Sequence, residues 1–384
     1  LCDRRQRQMC IRDRLQNSGL VLFVCSETGY CRLTAVPDSI IIKIIRIVKQ
    51  EIFIMEKTPF PNSFDLIALY GRNTDYSDES DDCRIYHLNN ETGAGTITIY
   101  HVFQGIQAAF NDIHMAYCNL QQNTASNMIE INHCTEGRFE CDAGEQLCCY
   151  MAPGDMAVKS SCTCSENACF PTRHYHGISI FIEPDRFSEE LLAILKMLSV
   201  DFDKIHAMVS NQNQILILRK NETASHIFSE LYTVRETHRA GYLKLKVLEL
   251  LLFLTDTKCT VSNQTEHYFD RQSVSLIKSI HDFMISDIQK HYTIPELAER
   301  FRIAPTTLKK NFSDIYGSSV YAYLKTYRIQ ESQKMLLRTE LSIAEIANAV
   351  GYENPAKFSA AFQKECGMTP SAFRKYVRNR VEHD

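Results

Sequence analysis

Between residues 293 and 376 apolar positions recur every three or four residues, in short blocks cut by glycine and proline. That pattern predicts a run of short amphipathic helices. In LSIAEIANAVGYENPAKFSAAFQKECGMTPSAFRKY (residues 341–376), Ile343, Ile346, Ala347 and Val350 share one helical face. Gly351 follows, where a residue of positive φ would end the helix. Asn354 is placed to cap the next helix, and Pro355 takes its first position, where the missing N–H costs nothing. Phe358 and Phe362 are one turn apart and predict its buried face. Lys357, Ser359, Ala360 and Lys364 predict its open face. Residues 293–317 (TIPELAERFRIAPTTLKKNFSDIYG) repeat the pattern. Ile294, Leu297, Ala298 and Phe301 make the first apolar face. Pro305 opens a second helix that buries Leu308, Phe312 and Ile315 and shows Thr306, Thr307, Lys309 and Lys310. A helical run over residues 320–338 separates the two blocks and is about 28 Å long at 1.5 Å per residue. A single helix-turn-helix pattern is a weak signal. Two in tandem on a rigid spacer suit successive major-groove faces of a duplex, one turn of ~34 Å apart.

On these residues, with the connector YLKTYRIQESQKML, the stretch 274–378 closely resembles the DNA-binding domain of the AraC/XylS family of bacterial transcription regulators. The resemblance covers a little over a quarter of the chain. It implies that Thr306, Lys309 and Lys310 enter one major groove and Ala356, Lys357 and Ala360 the next. Pro305, Thr307, Asn354, Pro355, Ser359 and Lys364 lie beside them as further DNA-binding candidates. Ala360 stands where many members carry arginine, the commonest reader of guanine. The second unit is therefore expected to rest more on phosphates and duplex shape than on base hydrogen bonds.

From residue 95 to 183 the period changes to two. TITIY (96–100), MIEIN (128–132) and ISIFI (178–182) read as strands, and Pro153-Gly154-Asp155 reads as a turn. Short strands with such turns predict a sandwich or small barrel. IEINHCTEGRFEC followed by YMAPGDMAV resembles the cupin-like effector domains of the family, in the branch related to regulators of siderophore (pyochelin) uptake. Helical spacing returns over residues 187–256. SHIFSELYTVRETHRAGYLKLKVLELLLFL reads as one long helix, with Ser225 as its cap. Leu245, Leu248, Leu251, Leu252 and Phe253 make an apolar surface that serves either as core or as a dimer face, and the resemblance favours dimerisation. Ile277, Ile280 and Phe283 or Met284 are the inward positions of a further helix near 274–286.

The expected fold is α+β: an N-terminal cupin-like β barrel or sandwich, a helical linker region, and a C-terminal all-α domain with two helix-turn-helix units. The expected limits are 55–183 for the effector-binding domain, 184–257 for the helical dimerisation region, 258–273 for a polar linker and 274–384 for the DNA-binding domain, with its units at 293–317 and 341–367. Residues 1–54 read as non-native or disordered leader sequence, with Met55 as the expected start. The segment 36–54 is too charged to cross a membrane, and no secretory signal is apparent, so a cytoplasmic location is expected. The acidic stretch NTDYSDESDDC (73–83) reads as a solvated turn.

Charge separates the two halves. The chain carries 42 Lys+Arg against 46 Asp+Glu, a net charge of −4, yet residues 275–384 hold 16 against 12. A basic reader joined to an acidic part fits a regulated nucleic-acid binder. Fifteen cysteines in a chain without a secretory signal argue against a disulfide scaffold. Cys162-x-Cys164 and Cys148-Cys149 are too close for zinc spacing, so cysteines 141, 148, 149, 162, 164 and 169 read as structural. His174 and His176 share a face if RHYHG is extended, and His133 and Glu136 are within possible reach. The full cupin metal spacing is absent, and no metal or cofactor is assigned. No acid–base pair, nucleophile elbow or phosphate loop appears, and an enzyme is not expected. The sequence thus reads as a sequence-specific regulator, an activator answering to a small effector such as a siderophore. Its partners would be promoter DNA, a second copy of the chain and, for an activator, RNA polymerase. A metal- or thiol-responsive repressor is the alternative, and a cupin-type metalloenzyme a remote one.

Overall fold

The computed structural model describes residues 23–25, 31–33, 75–80, 83–119, 128–142, 146–160, 167–209, 215–256 and 268–381. Most of the segment 1–54, together with Met55, Cys162, Cys164 and most of the 258–273 stretch, lies outside the described residues. Within 1–54, β1 (Phe23–Cys25) pairs with β2 (Cys31–Leu33) as an isolated hairpin.

The strands after residue 75 build two antiparallel sheets. The larger comprises β3 (Asp75–Ser80), β4 (Cys83–Asn90), β5 (Gly93–Phe103), β6 (Ile106–His114), β8 (Ile129–Gly137), β11 (Met156–Ser160), β13 (Tyr175–Ile182) and β14 (Leu216–Leu218). Its order is β14-β11-β8-β13-β6-β5-β4-β3. The smaller, in the order β15-β10-β9-β12-β7, comprises β7 (Tyr117–Asn119), β9 (Phe139–Asp142), β10 (Leu147–Met151), β12 (Asn167–Cys169) and β15 (Phe269–Asp270). The period of two divides the large sheet's side chains. Tyr175 and Phe181 point into the core shared with the small sheet, among Phe139, Cys141, Cys149 and Phe170. Ile178, Ile180 and Ile182 point the other way, under a layer of helices. The acidic stretch is an edge strand rather than a turn, since β3 pairs with β4 from Asp75 to Ser80.

The helical layer holds α1 (Glu189–Met197), α2 (Phe202–Val209), α3 (Glu222–Thr233) and α4 (Arg239–Asp256). The expected single long helix is two. Asn221, not Ser225, caps α3 by accepting from the Ala224 N–H, and Val234 leaves helical geometry at φ −69° and ψ 139°. On α4, Leu243, Val247, Leu248, Leu250, Leu251 and Leu254 are buried against the large sheet, so most of this apolar surface is core within the chain. Leu245 and Leu252 are half-buried and Tyr242 is exposed. No helix among the described residues is long and apolar enough to cross a membrane.

The C-terminal helices are α5 (Arg271–Ser286), α6 (Ile294–Arg300), α7 (Pro305–Tyr316), α8 (Val320–Arg338), α9 (Ile343–Ala349), α10 (Pro355–Cys366) and α11 (Pro370–Val381). Helix α5 begins at Arg271, capped by Asp270, and buries Ile277, Ile280 and Met284. The core splits in two. One cluster gathers α5, α6 and α7 with Cys148 and Tyr150 of β10. The other gathers Ile329, Leu336, Ile346, Val350, Phe358 and Phe362. Arg328 on α8 joins them. Its buried guanidinium donates to the carbonyls of Ile288 (2.7 Å), Lys290 (2.9 Å) and Gly351 (3.4 Å).

Two predictions follow from these buried polar groups. Replacing Arg328 by Met removes the donor to the carbonyls of Ile288, Lys290 and Gly351, and each hydrogen bond to a charged group is worth roughly 1.5–3 kcal/mol. Urea unfolding of Arg328→Met should show a loss of about 2–4 kcal/mol, and a midpoint equal to wild type would contradict this role. His133 is buried and stacked on Phe228 with ring centroids 4.5 Å apart, and neither ring nitrogen has a hydrogen-bond partner. Burial pushes its pKa down to about 4. The folded chain therefore holds His133 neutral while the unfolded chain protonates it near pH 6.5, so stability should fall as pH drops from 6.5 to 4. His133→Leu should remove about 3 kcal/mol of that pH dependence, read from unfolding midpoints across the window.

Candidate nucleic-acid interface

Each of the two helix pairs is built by the same local devices. Thr293 opens α6 by accepting from the Glu296 N–H, and the Glu296 carboxylate accepts from the Thr293 N–H at 2.9 Å. That backbone hydrogen bond holds the Glu296 carboxyl below its ordinary range. Ser342 and Glu345 repeat the reciprocal cap on α9. Both satisfy helix-end N–H groups that otherwise have no partner. Each first helix ends in a left-handed turn, at Arg302 (φ 53°) in one pair and Gly351 (φ 82°) in the other. The chain then folds back equivalently, with Ile303 N–H donating to Ala298 O at 3.0 Å and Tyr352 N–H to Ala347 O at 2.8 Å. A Cβ at position 351 would meet Ile288 O at 2.7 Å, which is why glycine stands there.

The second helix of each pair, α7 or α10, starts on a proline and ends on a left-handed glycine, Gly317 or Gly367. Leu308, Phe312 and Ile315 of α7, and Phe358 and Phe362 of α10, are fully buried. Apolar residues on one face force the other face outward. Pro305, Thr306, Thr307, Lys309 and Lys310 are all exposed on α7. On α10, Asn354, Pro355, Ala356, Lys357, Ala360 and Lys364 are exposed and Ser359 is half-buried. Asn354 accepts from the N–H groups of Ala356 (2.8 Å) and Lys357 (3.4 Å), so its side chain is committed to the helix start. The equivalent Ala304 offers no side-chain cap to α7.

Several arginines that hold the helix pairs in place escaped the reading of the sequence. Arg328 is one. Arg374 and Arg378 on α11 are others: Arg374 donates to Leu341 O at 2.6 Å, and Arg378 donates to both Glu340 carboxylate oxygens at 2.6 Å. Together they fix the entry to α9, beside a cleft of about 360 Å³ lined by Ile343, Ser371, Lys375 and Asn379. Their signal was the one-turn spacing of two arginines on the last amphipathic helix. In the sheets, Cys118, Cys134 and Cys148 are buried thiols that burial pushes up to about 12. A hydrogen bond with Cys149, together with burial, holds Cys141 well above the ordinary thiol range. Such groups are protonated at neutral pH and poor nucleophiles. His174 and His176 do lie together, joined by His114 rather than by His133.

Residues 297–376 match the family model described as a helix-turn-helix domain. An uncharacterized HTH-type transcriptional regulator, YdiP of Escherichia coli, is 33% identical over 104 residues, 27% of this chain and 34% of that protein. The lactose operon transcription activator of Staphylococcus xylosus is 32% identical over 95 residues, 25% of this chain and 34% of that protein. Among solved structures, the C-terminal domain of AraT, a response regulator from Geobacillus stearothermophilus, is similar at 28% identity and a TM-score of 0.26, covering 26% of this chain and 84% of that one. The chain spans about a third of the length of the curated relatives named here. Residues 297–376 are thus similar to a helix-turn-helix domain.

The two helix starts predict opposite stability effects. Asn354→Ala removes a working cap and should cost about 1 kcal/mol, whereas Ala304→Ser adds one in extended geometry and should gain a similar amount. Chemical denaturation of both variants checks the pair; equal signs would mean that capping does not limit these helices.

Proposed function

We propose that this chain is a sequence-specific transcription regulator that lays α7 and α10 into successive major grooves of promoter DNA. The observation that carries the proposal is the repeated helix pair, each with an apolar face locked into its own core and an outward face bearing lysine and small residues. In this reading Thr306, Lys309 and Lys310 contact the first groove, with Pro305 and Thr307 at the helix start. Ala356, Lys357 and Ala360 face the second, flanked by Asn354, Pro355, Ser359 and Lys364. Helix α8, 19 residues long, spans about 28 Å and sets the separation. Ala360 carries no donor, so the second unit positions the complex through phosphates and shape.

The N-terminal sheets are the regulatory part of this proposal. Their contact with α5 and α7 offers a route by which an effector shifts the population of chains able to place both helices on DNA. The cavity between the sheets is about 50 Å³, lined by Asn111, Glu130, Asn132, Lys159 and Tyr175 among apolar neighbours. That size suits a very small polar effector, and a siderophore would require the sheets to part. The protonated, buried thiols weigh against thiol sensing. The half-buried Leu245 and Leu252 with exposed Tyr242 supply a stripe for a homodimer, and the helix-turn-helix domain fits a cytoplasmic activator that engages RNA polymerase.

The test is DNA affinity in the Lys309→Ala/Lys310→Ala double variant, measured at two salt concentrations on a selected operator. Loss of a base contact should cost ~1–3 kcal/mol and relax specificity at one position, and loss of phosphate contacts should flatten the salt dependence by about one unit of slope each. Unchanged affinity and slope would remove α7 from the groove.

A further inference from the structure

We propose that His114, His174 and His176 hold one divalent transition-metal ion on the outer face of the large sheet, with Asp112 and Glu136 as supporting carboxylates. The register of three neighbouring strands assembles the site. His176 of β13 lies opposite Asp112 of β6 on one side and opposite Glu136 of β8 on the other. His114 lies two residues after Asp112, and His174 two before His176, so the period of two brings both to the same face. A register irregularity between His176 and Gly177 interrupts the ladder beside the cluster, and such breaks re-aim side chains. One nitrogen from each imidazole lies within 4.8 Å of the other two. This face also carries Ile178, Ile180 and Ile182, so the cluster is separate from the cavity between the sheets.

The hydrogen bonding makes the case. His114 Nε2 lies 2.8 Å from Asp112 Oδ1, and His174 Nε2 lies 3.2 Å from Glu136 Oε2. With each carboxylate accepting an Nε2–H, the Nδ1 atoms of the two rings are left facing each other at 3.4 Å. Either a proton or a metal ion between them satisfies both nitrogens, and the proposal is the metal ion. Nitrogens bound to Zn²⁺ at 2.0–2.1 Å in a tetrahedron are roughly 3.3–3.4 Å apart, the separation of His114 Nδ1 and His174 Nδ1. A carboxylate behind a ligating histidine is the usual outer support of such sites. His176 supplies the third imidazole, with its Nε2 shielded from solvent and 2.6 Å from Asp112 Oδ1. Imidazole with carboxylate support favours Zn²⁺, Co²⁺, Ni²⁺ or Cu²⁺ over Mg²⁺ or Ca²⁺.

The test uses the full chain, stripped with chelator and titrated with Co²⁺ followed by visible absorption and with Zn²⁺ by equilibrium dialysis. The expected result is one ion per chain, ligand-field bands without thiolate charge transfer, and a raised melting temperature. His114→Gln and His174→Gln should each weaken binding at least 100-fold, and Asp112→Asn and Glu136→Gln about 10–100-fold. Circular dichroism of the metal-free variants checks folding, and the exposed Asp112 and Glu136 variants keep the test informative if a histidine variant fails. No binding by the wild-type chain would leave a shared proton between the imidazoles and overturn the proposal. Binding that survives the double histidine substitution, or that shows thiolate bands, would overturn it too. None of these readouts uses DNA, so the site stands or falls apart from the proposed regulatory function.

Discussion

The C-terminal half depends on one buried cation. Arg328 sits where the two helix pairs meet, and its guanidinium gathers carbonyls from the loop after α5 and from the turn after α9. A buried charge is costly unless its donors are met. Here chain turns from both cores meet them, so neither pair can move far without uncovering the cation. The same demand explains Gly351, since a Cβ there would strike both Ile288 O and the Arg328 guanidinium. The separation of the two outward helices is therefore fixed by a shared polar bond as well as by the length of α8.

The first helix pair is also bound to the sheets. Phe269 and Asp270 add a strand to the small sheet beside β10, and the Arg271 N–H donates to Gln146 O at 3.0 Å. Glu140 accepts from Tyr150 at 2.8 Å and pairs with Lys278 of α5 at 2.6 Å. Arg138 donates to Asp314 O near the end of α7, where a positive charge also suits the helix dipole. The second pair has its own core, against which Ile288 of the loop after α5 packs, and meets the rest through that loop and α8. One outward helix is thus held by the sheets and the other by α8 and the loop after α5. Arg138 lies two residues beyond Glu136, and its N–H donates to His174 O, which puts the histidine cluster beside the contact that holds α7.

The helix pairs were legible because local signals agreed: the 3.6 period, proline at the first position, glycine or asparagine at the ends. The reciprocal caps Thr293–Glu296 and Ser342–Glu345 were equally present in the sequence and passed unread. Strands were legible by their period, but the division into two sheets was not, because pairing joins residues distant in sequence. That is also why Asp75–Ser80 looked like a turn: its acidic composition hides an edge strand that β4 supports. The break between α3 and α4 was missed because helical spacing persists across it. His174 and His176 announced themselves by alternation. His114 joined them only through the pairing of β6 with β13, and His133, chosen by proximity in sequence, lies under Phe228 instead.

The most direct measurement is a footprint of the purified chain on fragments selected from genomic DNA. Two helices joined by α8, itself about 28 Å long, should protect two half-elements centred about 10 base pairs apart, on one face of the duplex. Protection of a single half-element, or binding without sequence preference that vanishes as salt rises, would contradict the tandem reading.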